Sequence, residues 1–127
     1  MAGLTIAAAG VDDPHLERDR YDTIAGRPSP IANLTLGVTH APYTRVLDRF
    51  AADGYQLILA GHTHGGQICL PGSVPITLSS NLPRTYGAGA WVYEGMAGYT
   101  SVGCGASVVA VRLNCPPEIT LHELRRP

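Results

Sequence analysis

The segment Leu57-Ile58-Leu59-Ala60-Gly61-His62-Thr63-His64-Gly65-Gly66 is an apolar run that ends in a glycine-rich turn with two histidines. A short apolar run bounded by glycine is typical of a buried strand. Histidine is the commonest metal-binding side chain near neutral pH, and glycine lets the backbone pass close to an ion. The segment therefore predicts a strand that delivers His62 and His64 to a metal site.

A second apolar run, residues 34–39, also ends in a histidine, His40. The residues between the two runs have apolar side chains at helical spacing and predict a helix over residues 44–55, with Thr44 as its N-cap and Gly54 as its stop signal. The order strand, helix, strand favours parallel strands, whose carboxyl ends lie at one edge of a sheet.

Ligands bind at this edge in open α/β sheets, so we expect His40, His62 and His64 to converge there. His62 and His64, separated by one residue of the turn, could each serve a different ion of a close pair. The alternative interpretation is that all three are hydrogen-bonded loop histidines without a ligand.

Two of these segments resemble known metal motifs. Val38–Pro42, with the sequence VTHAP, and Gly61–Ile68, with the sequence GHTHGGQI, resemble the last two metal motifs of calcineurin-like metallophosphoesterases. The following Leu70-Pro71-Gly72, and residues 10–15 and 114–121, are similar to segments of the bacterial YkuE/YaeI-like branch of that superfamily. The resemblance spans nearly the whole chain.

The resemblance covers only the carboxyl-terminal half of the family's domain. The motifs DxH, GDxxD and GNHD or GNHE, which usually precede these segments, do not occur in the sequence. We therefore expect residues 1–127 to be one partial metallophosphoesterase domain. The fold class implied is α/β (α+β), part of a four-layer αββα sandwich in which a βαβ unit carries the metal histidines and an antiparallel sheet follows.

The resemblance also implies a chemistry. Enzymes of this family hydrolyse phosphomonoester or phosphodiester bonds with a metal-activated water held by two divalent ions. By the family's pattern, His40 and His62 would bind one ion and His64 the other. Mixed imidazole and carboxylate ligation suits manganese, iron or zinc. No residue of this chain is assigned a catalytic role beyond metal binding, and the bridging aspartate has no counterpart here.

Two functional hypotheses follow from this. The first is a metal-dependent phosphoesterase seen as an incomplete catalytic domain. The second is a noncatalytic truncated remnant or a metal-binding interaction module.

Three further residues are candidates for substrate binding. Asp12 and Asp13 would line the pocket, although Asp-Asp-Pro is also an ordinary turn. Arg84 would bind a phosphate oxygen through its guanidinium, although a solvated loop arginine is the better explanation. His15 is interpreted as a loop residue rather than as a substrate contact.

The rest of the sequence predicts further elements. A short helix is expected at residues 16–21, and residues 71–89 predict a loop. Antiparallel strands are predicted around residues 91–96, 99–102, 108–112 and 118–124. The three cysteines, Cys69, Cys104 and Cys115, have no metal or disulfide spacing and predict buried free thiols.

Composition narrows the range of partners. The net charge of −1 argues against a nucleic-acid footprint, and no apolar run approaches the roughly 18 residues of a membrane segment. The expected partner is a phosphate-ester substrate. Half a sandwich would leave strand edges unpaired, so self-association or complementation by the missing amino-terminal half is also expected. Localisation stays open between the cytoplasm and membrane association through an element absent from this chain.

Overall fold

The computed structural model describes residues 3–125, which form a mixed α/β fold, as the sequence predicts. One α-helix, α1, spans Thr44–Ala52. The strands are β1 (Ile6–Val11), β2 (Leu34–Thr39), β3 (Leu57–Ala60), β4 (Cys69–Leu70), β5 (Val74–Pro75), β6 (Gly89–Tyr93) and β7 (Met96–Thr100). Short 3-10 helices lie at Pro14–Leu16, Tyr21–Thr23, His64–Gly66 and Arg84–Tyr86.

Five strands form one sheet in the order β1-β2-β3-β7-β6. The pairs β1·β2, β2·β3 and β3·β7 are parallel, and β6 pairs with β7 as an antiparallel hairpin. The predicted parallel βαβ unit is therefore confirmed in β2, α1 and β3. Because these strands are parallel and adjacent, their carboxyl ends place His40 and His62 at the same edge of the sheet.

Helix α1 supplies the centre of the core. Val46, Leu47 and Phe50 lie on one face of the helix and are fully or almost fully buried. The Phe50 ring makes edge-to-face contacts with Tyr21 and Tyr55, at centroid distances of 4.9 and 4.8 Å. Such pairs add roughly 0.5–1.5 kcal/mol to the burial of apolar area, so this cluster fixes the helix against the sheet.

The helix begins one residue away from the predicted position. Tyr43 is the N-cap and Thr44 is the first helical residue. The side chain of Asn81 accepts a hydrogen bond from the Thr44 backbone N–H at 3.1 Å. A free helical N–H is therefore satisfied from a distant loop, which local capping rules do not detect.

Two predicted strands are wrong. Residues 108–112 and 118–124 contain no strand, and Val108, Ile119 and Leu121 are more than nine-tenths exposed. Their alternating pattern suits a strand, but the described residues provide no neighbouring sheet against which its apolar side could be buried. The second, facing sheet expected from a sandwich is accordingly not formed by residues 3–125, where β4 and β5 make only a two-residue ribbon.

Other boundaries are also corrected. The predicted helix at residues 16–21 is replaced by the two 3-10 turns at Pro14–Leu16 and Tyr21–Thr23. The strands predicted at residues 91–96 and 99–102 begin earlier, as β6 and β7, because Glu94 and Gly95 form the hairpin turn with positive φ. Within residues 3–125, no helix has the length and apolar character needed to cross a membrane.

Candidate functional site

Two histidines meet at the carboxyl edge of the sheet. His40 follows β2 and His62 follows β3 after a single glycine. The backbone N–H of Gly61 donates to the His40 carbonyl at 3.0 Å, which joins the two strand ends. The His40 Nε2 and His62 Nδ1 atoms are 2.9 Å apart, and the ring centroids are 4.7 Å apart. Of the three histidines predicted to converge, His40 and His62 are in contact, whereas among residues 3–125 no side-chain hydrogen bond or ring contact joins His64 to either of them.

The turn that carries His62 and His64 has unusual backbone geometry. Both histidines have positive φ, 69° and 49°, and Gly65 and Gly66 follow with φ of 62° and 88°. Residues other than glycine rarely adopt a positive φ. Backbone strain of this kind is found most often at functional sites. At Gly66 a Cβ would lie 2.4 Å from the Cβ of Pro75, so only glycine fits there.

Two imidazole nitrogens of this turn are buried without a hydrogen-bond partner among the described residues. They are His62 Nε2 and His64 Nδ1. Burial lowers the pKa of His62, and the neighbouring His40 lowers it further. A buried polar atom without a partner costs roughly 1–3 kcal/mol, which a ligand at that atom would relieve. The neutral imidazole favoured here is also the form that binds metals.

Asp13 and His15 lie in the segment after β1 and join His40 and His62. We call these four residues the histidine cluster. The Asp13 Oδ2 atom lies 3.8 Å from His40 Nε2, and its Oδ1 accepts a hydrogen bond from the His15 backbone N–H at 2.8 Å. The His15 ring packs on His62 at a centroid distance of 5.0 Å. The His15 Nδ1 atom lies 3.0 Å from the Tyr43 hydroxyl, which orients the ring.

Arg112 forms hydrogen bonds that hold the histidine turn, residues 62–66. Its guanidinium donates to the backbone carbonyls of His64 at 3.1 Å, Val102 at 3.2 Å, Gly105 at 2.6 Å and Cys115 at 2.8 Å. The planar guanidinium has five N–H donors in fixed directions, so it can join several chain segments at once. Arg112 therefore ties the carboxyl-terminal loops to the turn that carries His64.

Two thiols lie beneath the same turn. Cys115 Sγ donates to the His64 carbonyl at 3.1 Å, and Cys69 Sγ donates to the Gly65 carbonyl at 3.2 Å. Burial raises the pKa of the Cys69 thiol, and the neighbouring Cys115 raises it further. Cys69 and Cys115 are buried free thiols, as predicted, whereas Cys104 is exposed, so the prediction of burial is wrong there. Cys104 lies in the glycine-flanked loop after β7, where residues 104–111 are all exposed.

The donor atoms of the cluster are of types that bind metal ions. Their number only partly meets what an ion requires. Imidazole nitrogen and carboxylate oxygen suit zinc, manganese or iron, and His62 and His64 each keep a nitrogen without a partner. Within residues 3–125, however, no three histidine, cysteine, aspartate or glutamate side chains are arranged as a ready site for an ion.

Known bacterial proteins are similar to this chain in sequence. The chain is 37% identical over 98 residues to the phosphodiesterase YaeI of Escherichia coli strain K12, a match that covers 76% of this chain and 35% of YaeI. It is 33% identical over 126 residues to the uncharacterized protein YpbG of Bacillus subtilis strain 168, covering 98% of this chain and 44% of YpbG. The sequence supports a relationship to YaeI-like phosphodiesterases.

The similarity covers only part of each relative. The chain spans less than half the length of each of these two relatives. No protein-family model matches it, and no solved structure matches it significantly.

The predicted substrate-binding residues lie in different places. Asp13 lies in the histidine cluster, whereas the Asp12 carboxylate accepts a hydrogen bond from the adjacent Asp13 backbone N–H at 2.7 Å and so stabilises the turn. Arg84 is exposed in the 3-10 helix Arg84–Tyr86, and among residues 3–125 no hydrogen bond or ion pair links its guanidinium to the cluster. Substrate binding by these three residues stays a prediction.

Several residues of the site were not identified from the sequence. The sequence pattern predicts a loop residue without a contact at His15, whereas its ring packs on His62. Arg112 and Gln67 were assigned no role, although both connect the histidine turn to distant loops. A histidine close after a strand was the available signal for His15. The connections of Arg112 and Gln67 depend on tertiary structure and leave no local pattern.

Proposed function

We propose that this chain carries part of the catalytic site of a metal-dependent phosphodiesterase of the calcineurin-like metallophosphoesterase type. The observation that carries the proposal is the contact of His40 with His62 at the carboxyl edge of parallel strands, next to buried imidazole nitrogens without partners. The 37% identity to the phosphodiesterase YaeI indicates the reaction class. The substrate would be a phosphate ester.

In this proposal His40, His62 and His64 hold divalent metal, manganese, iron or zinc, and the complete domain holds two ions. Bound metal would polarise the phosphate and lower the pKa of the attacking water. Asp13 Oδ2, 3.8 Å from His40 Nε2, would place a carboxylate beside that imidazole. His15 packs on His62 and limits its rotation. Further ligands would come from a complementary segment.

The strained turn keeps the histidines in place before any ligand arrives. Positive φ at His62 and His64, together with the Arg112 hydrogen bond to the His64 carbonyl, fixes the direction of both side chains. A site built in advance loses less conformational entropy on binding.

The proposal is tested by hydrolysis of bis-p-nitrophenyl phosphate by the 127-residue chain with added manganese. His64→Ala should lower metal-dependent turnover by at least about 10²-fold. His122→Ala is the matched control, because His122 is exposed and packs on Tyr99. Equal turnover in the His64 variant and the wild-type chain would contradict the assignment of His64.

A second candidate is a noncatalytic metal-binding module. It is favoured by the donor set of the described residues, in which one carboxylate, Asp13, accompanies the imidazoles of His15, His40 and His62. Metal binding without turnover by the wild-type chain would favour this candidate over the enzyme.

A further inference from the structure

A pocket of about 350 Å³ opens directly beside the histidine turn. Its volume lies within the range of roughly 300–1,000 Å³ that is usual for small-molecule sites. His62 and His64 line one end. The remaining walls are mainly aliphatic, formed by Ile68, Ile76, Val108 and Val109, with hydroxyl groups from Thr77, Ser79 and Ser107.

The aliphatic walls are unusually exposed for their size. Ile76 is 57% exposed, Val109 is 48% exposed and Val108 is fully exposed. Isolated exposed apolar residues need no explanation, but a group of them around one concave site indicates a surface that a ligand covers. The hydroxyl groups offer a ligand fewer contacts than the aliphatic side chains do. The pocket is therefore better suited to a hydrocarbon group than to a polar one.

The pocket wall is fixed to the histidine turn by one buried side chain. The Gln67 amide nitrogen donates to the carbonyls of Ser107 and Val109, both at 2.9 Å, and its amide oxygen accepts from the Ser107 N–H at 2.6 Å. Gln67 is 8% exposed and directly follows the HTHGG sequence. The distance between the apolar wall and the histidines is therefore set by a side chain of the turn itself.

The second wall is fixed in a similar way. The backbone N–H of Ile76 donates to the Ile68 carbonyl at 3.3 Å, which continues the ribbon of β4 and β5. Pro75, at the end of this ribbon, lies against Gly66. Both apolar walls are thus attached to the turn that carries His62 and His64.

We infer that this pocket binds the apolar organic group of the substrate, so that the preferred substrates are phosphate esters of aromatic or aliphatic alcohols rather than of small polar alcohols. The inference rests on the proposed function for the position of the phosphate, which would lie at the histidines. A hydrocarbon group attached to that phosphate would lie next to the pocket, because His62 belongs to the group of contacting histidines and also lines the pocket.

The experiment compares the binding of methyl, phenyl and 1-naphthyl phosphate to the chain by isothermal titration calorimetry with manganese present. These probes share the phosphate and differ in apolar area. Burial of a naphthyl group should raise the affinity over that for methyl phosphate by at least about tenfold, since affinity rises with the apolar area removed from water. Equal affinities for methyl and 1-naphthyl phosphate, or no binding of any probe, would overturn the inference.

Ile76→Ser tests the pocket wall and should lower the ratio of naphthyl to methyl affinity by about threefold or more. Because Ile76 is exposed, its replacement removes no core contact. Val92→Ser is the matched control, since Val92 is 66% exposed on β6 and does not line the pocket, and it should leave the ratio unchanged. An unchanged ratio in the Ile76 variant would refute the assignment of this pocket.

The same titrations separate this inference from the proposed function. His64→Ala should weaken all three probes by a similar factor if the phosphate binds at the histidines. If the His64 variant binds every probe normally while Ile76→Ser still lowers the ratio, the apolar pocket stands and the phosphate position is wrong.

Discussion

The His40 Nε2 atom lies 2.9 Å from His62 Nδ1, although the two residues are 22 positions apart in the sequence. The contact exists because β2 and β3 are adjacent and parallel, so each strand delivers its terminal histidine to the same edge. The helix α1 between them packs through Val46, Leu47 and Phe50 and sets this arrangement. The geometry of the candidate site thus follows directly from the βαβ connection.

The histidine turn should tolerate no side chain at Gly66. Gly66→Ala would combine a φ of 88° with a Cβ placed 2.4 Å from Pro75 Cβ, and should lower the free energy of unfolding by about 2–4 kcal/mol. Gly72→Ala is the control, because Gly72 has a similar φ of 84° but no atom within 4 Å of the added Cβ. It should cost only about 1 kcal/mol. Urea unfolding measures both, and equal losses would show that the contact with Pro75 does not constrain the turn.

Arg112 should contribute strongly to the stability of the loops under the site. Arg112→Ala removes charged hydrogen bonds to the carbonyls of His64, Gly105 and Cys115, and should lower the free energy of unfolding by about 2 kcal/mol. Arg112→Lys should restore little of it, because an ammonium cannot reach all of these acceptors. Arg84→Ala, at an exposed position, should change the stability by less than about 0.5 kcal/mol. Thermal unfolding measures these changes. An Arg112→Ala variant as stable as the wild-type chain would refute this role.

The ion pair of Asp19 with Arg45 should make the stability depend on pH. Arg45 donates to both carboxylate oxygens, at 2.8 and 2.7 Å, and this pairing holds the pKa of Asp19 below its ordinary 3.8. The unfolded chain therefore takes up the proton first as pH falls, so the contribution of the pair is present above about pH 4 and is lost through the lower folded pKa.

Asp19→Asn should reduce the fall in the free energy of unfolding as the pH is lowered from 4 to the pH at which the protein unfolds. The effect is at most about 1 kcal/mol, because Arg45 is partly exposed and solvent screens the pair. Asp22→Asn, at an 88% exposed carboxylate, is the control. Urea midpoints across this range measure the slope, and identical slopes for Asp19→Asn and the wild-type chain would be the contrary result.

The isolated chain should associate with itself. Among residues 3–125, strand β1 is an edge of the sheet with one side unpaired, and Ile6 on it is 42% exposed. Ile6→Lys should weaken the association, since a charge on an edge strand opposes strand pairing. Ile31→Lys, at an 81% exposed position before β2, should not. Sedimentation velocity over a range of concentrations tests this, and a stable monomer whose β1 amides are protected from exchange would contradict it.

The sequence predicted those elements in which local pattern and long-range packing agree. The apolar runs before His40 and His62 and the helical spacing of Val46, Leu47 and Phe50 identified β2, α1 and β3, together with their parallel order. Turn residues and apolar periodicity are both local signals, so they can be recognised in a single sequence.

The remaining features depend on contacts that the sequence does not encode locally. The alternation in residues 118–124 is typical of a strand, yet a strand needs a partner edge and a covered face, and the described part of the chain offers Leu121 neither. The hydrogen bonds of Arg112 and Gln67 join segments about 40 residues or more apart. His15 reaches His62 only because β1 lies beside β2, which is a property of the sheet order.

The most direct test of the proposed site is calorimetric titration of the chain with zinc and manganese. The wild-type chain should bind metal, His62→Ala should lose at least about tenfold in affinity, and His122→Ala should bind as the wild-type chain does. Equal affinity in all three proteins, or the absence of binding to the wild-type chain, would contradict the assignment of His40, His62 and His64 as metal ligands.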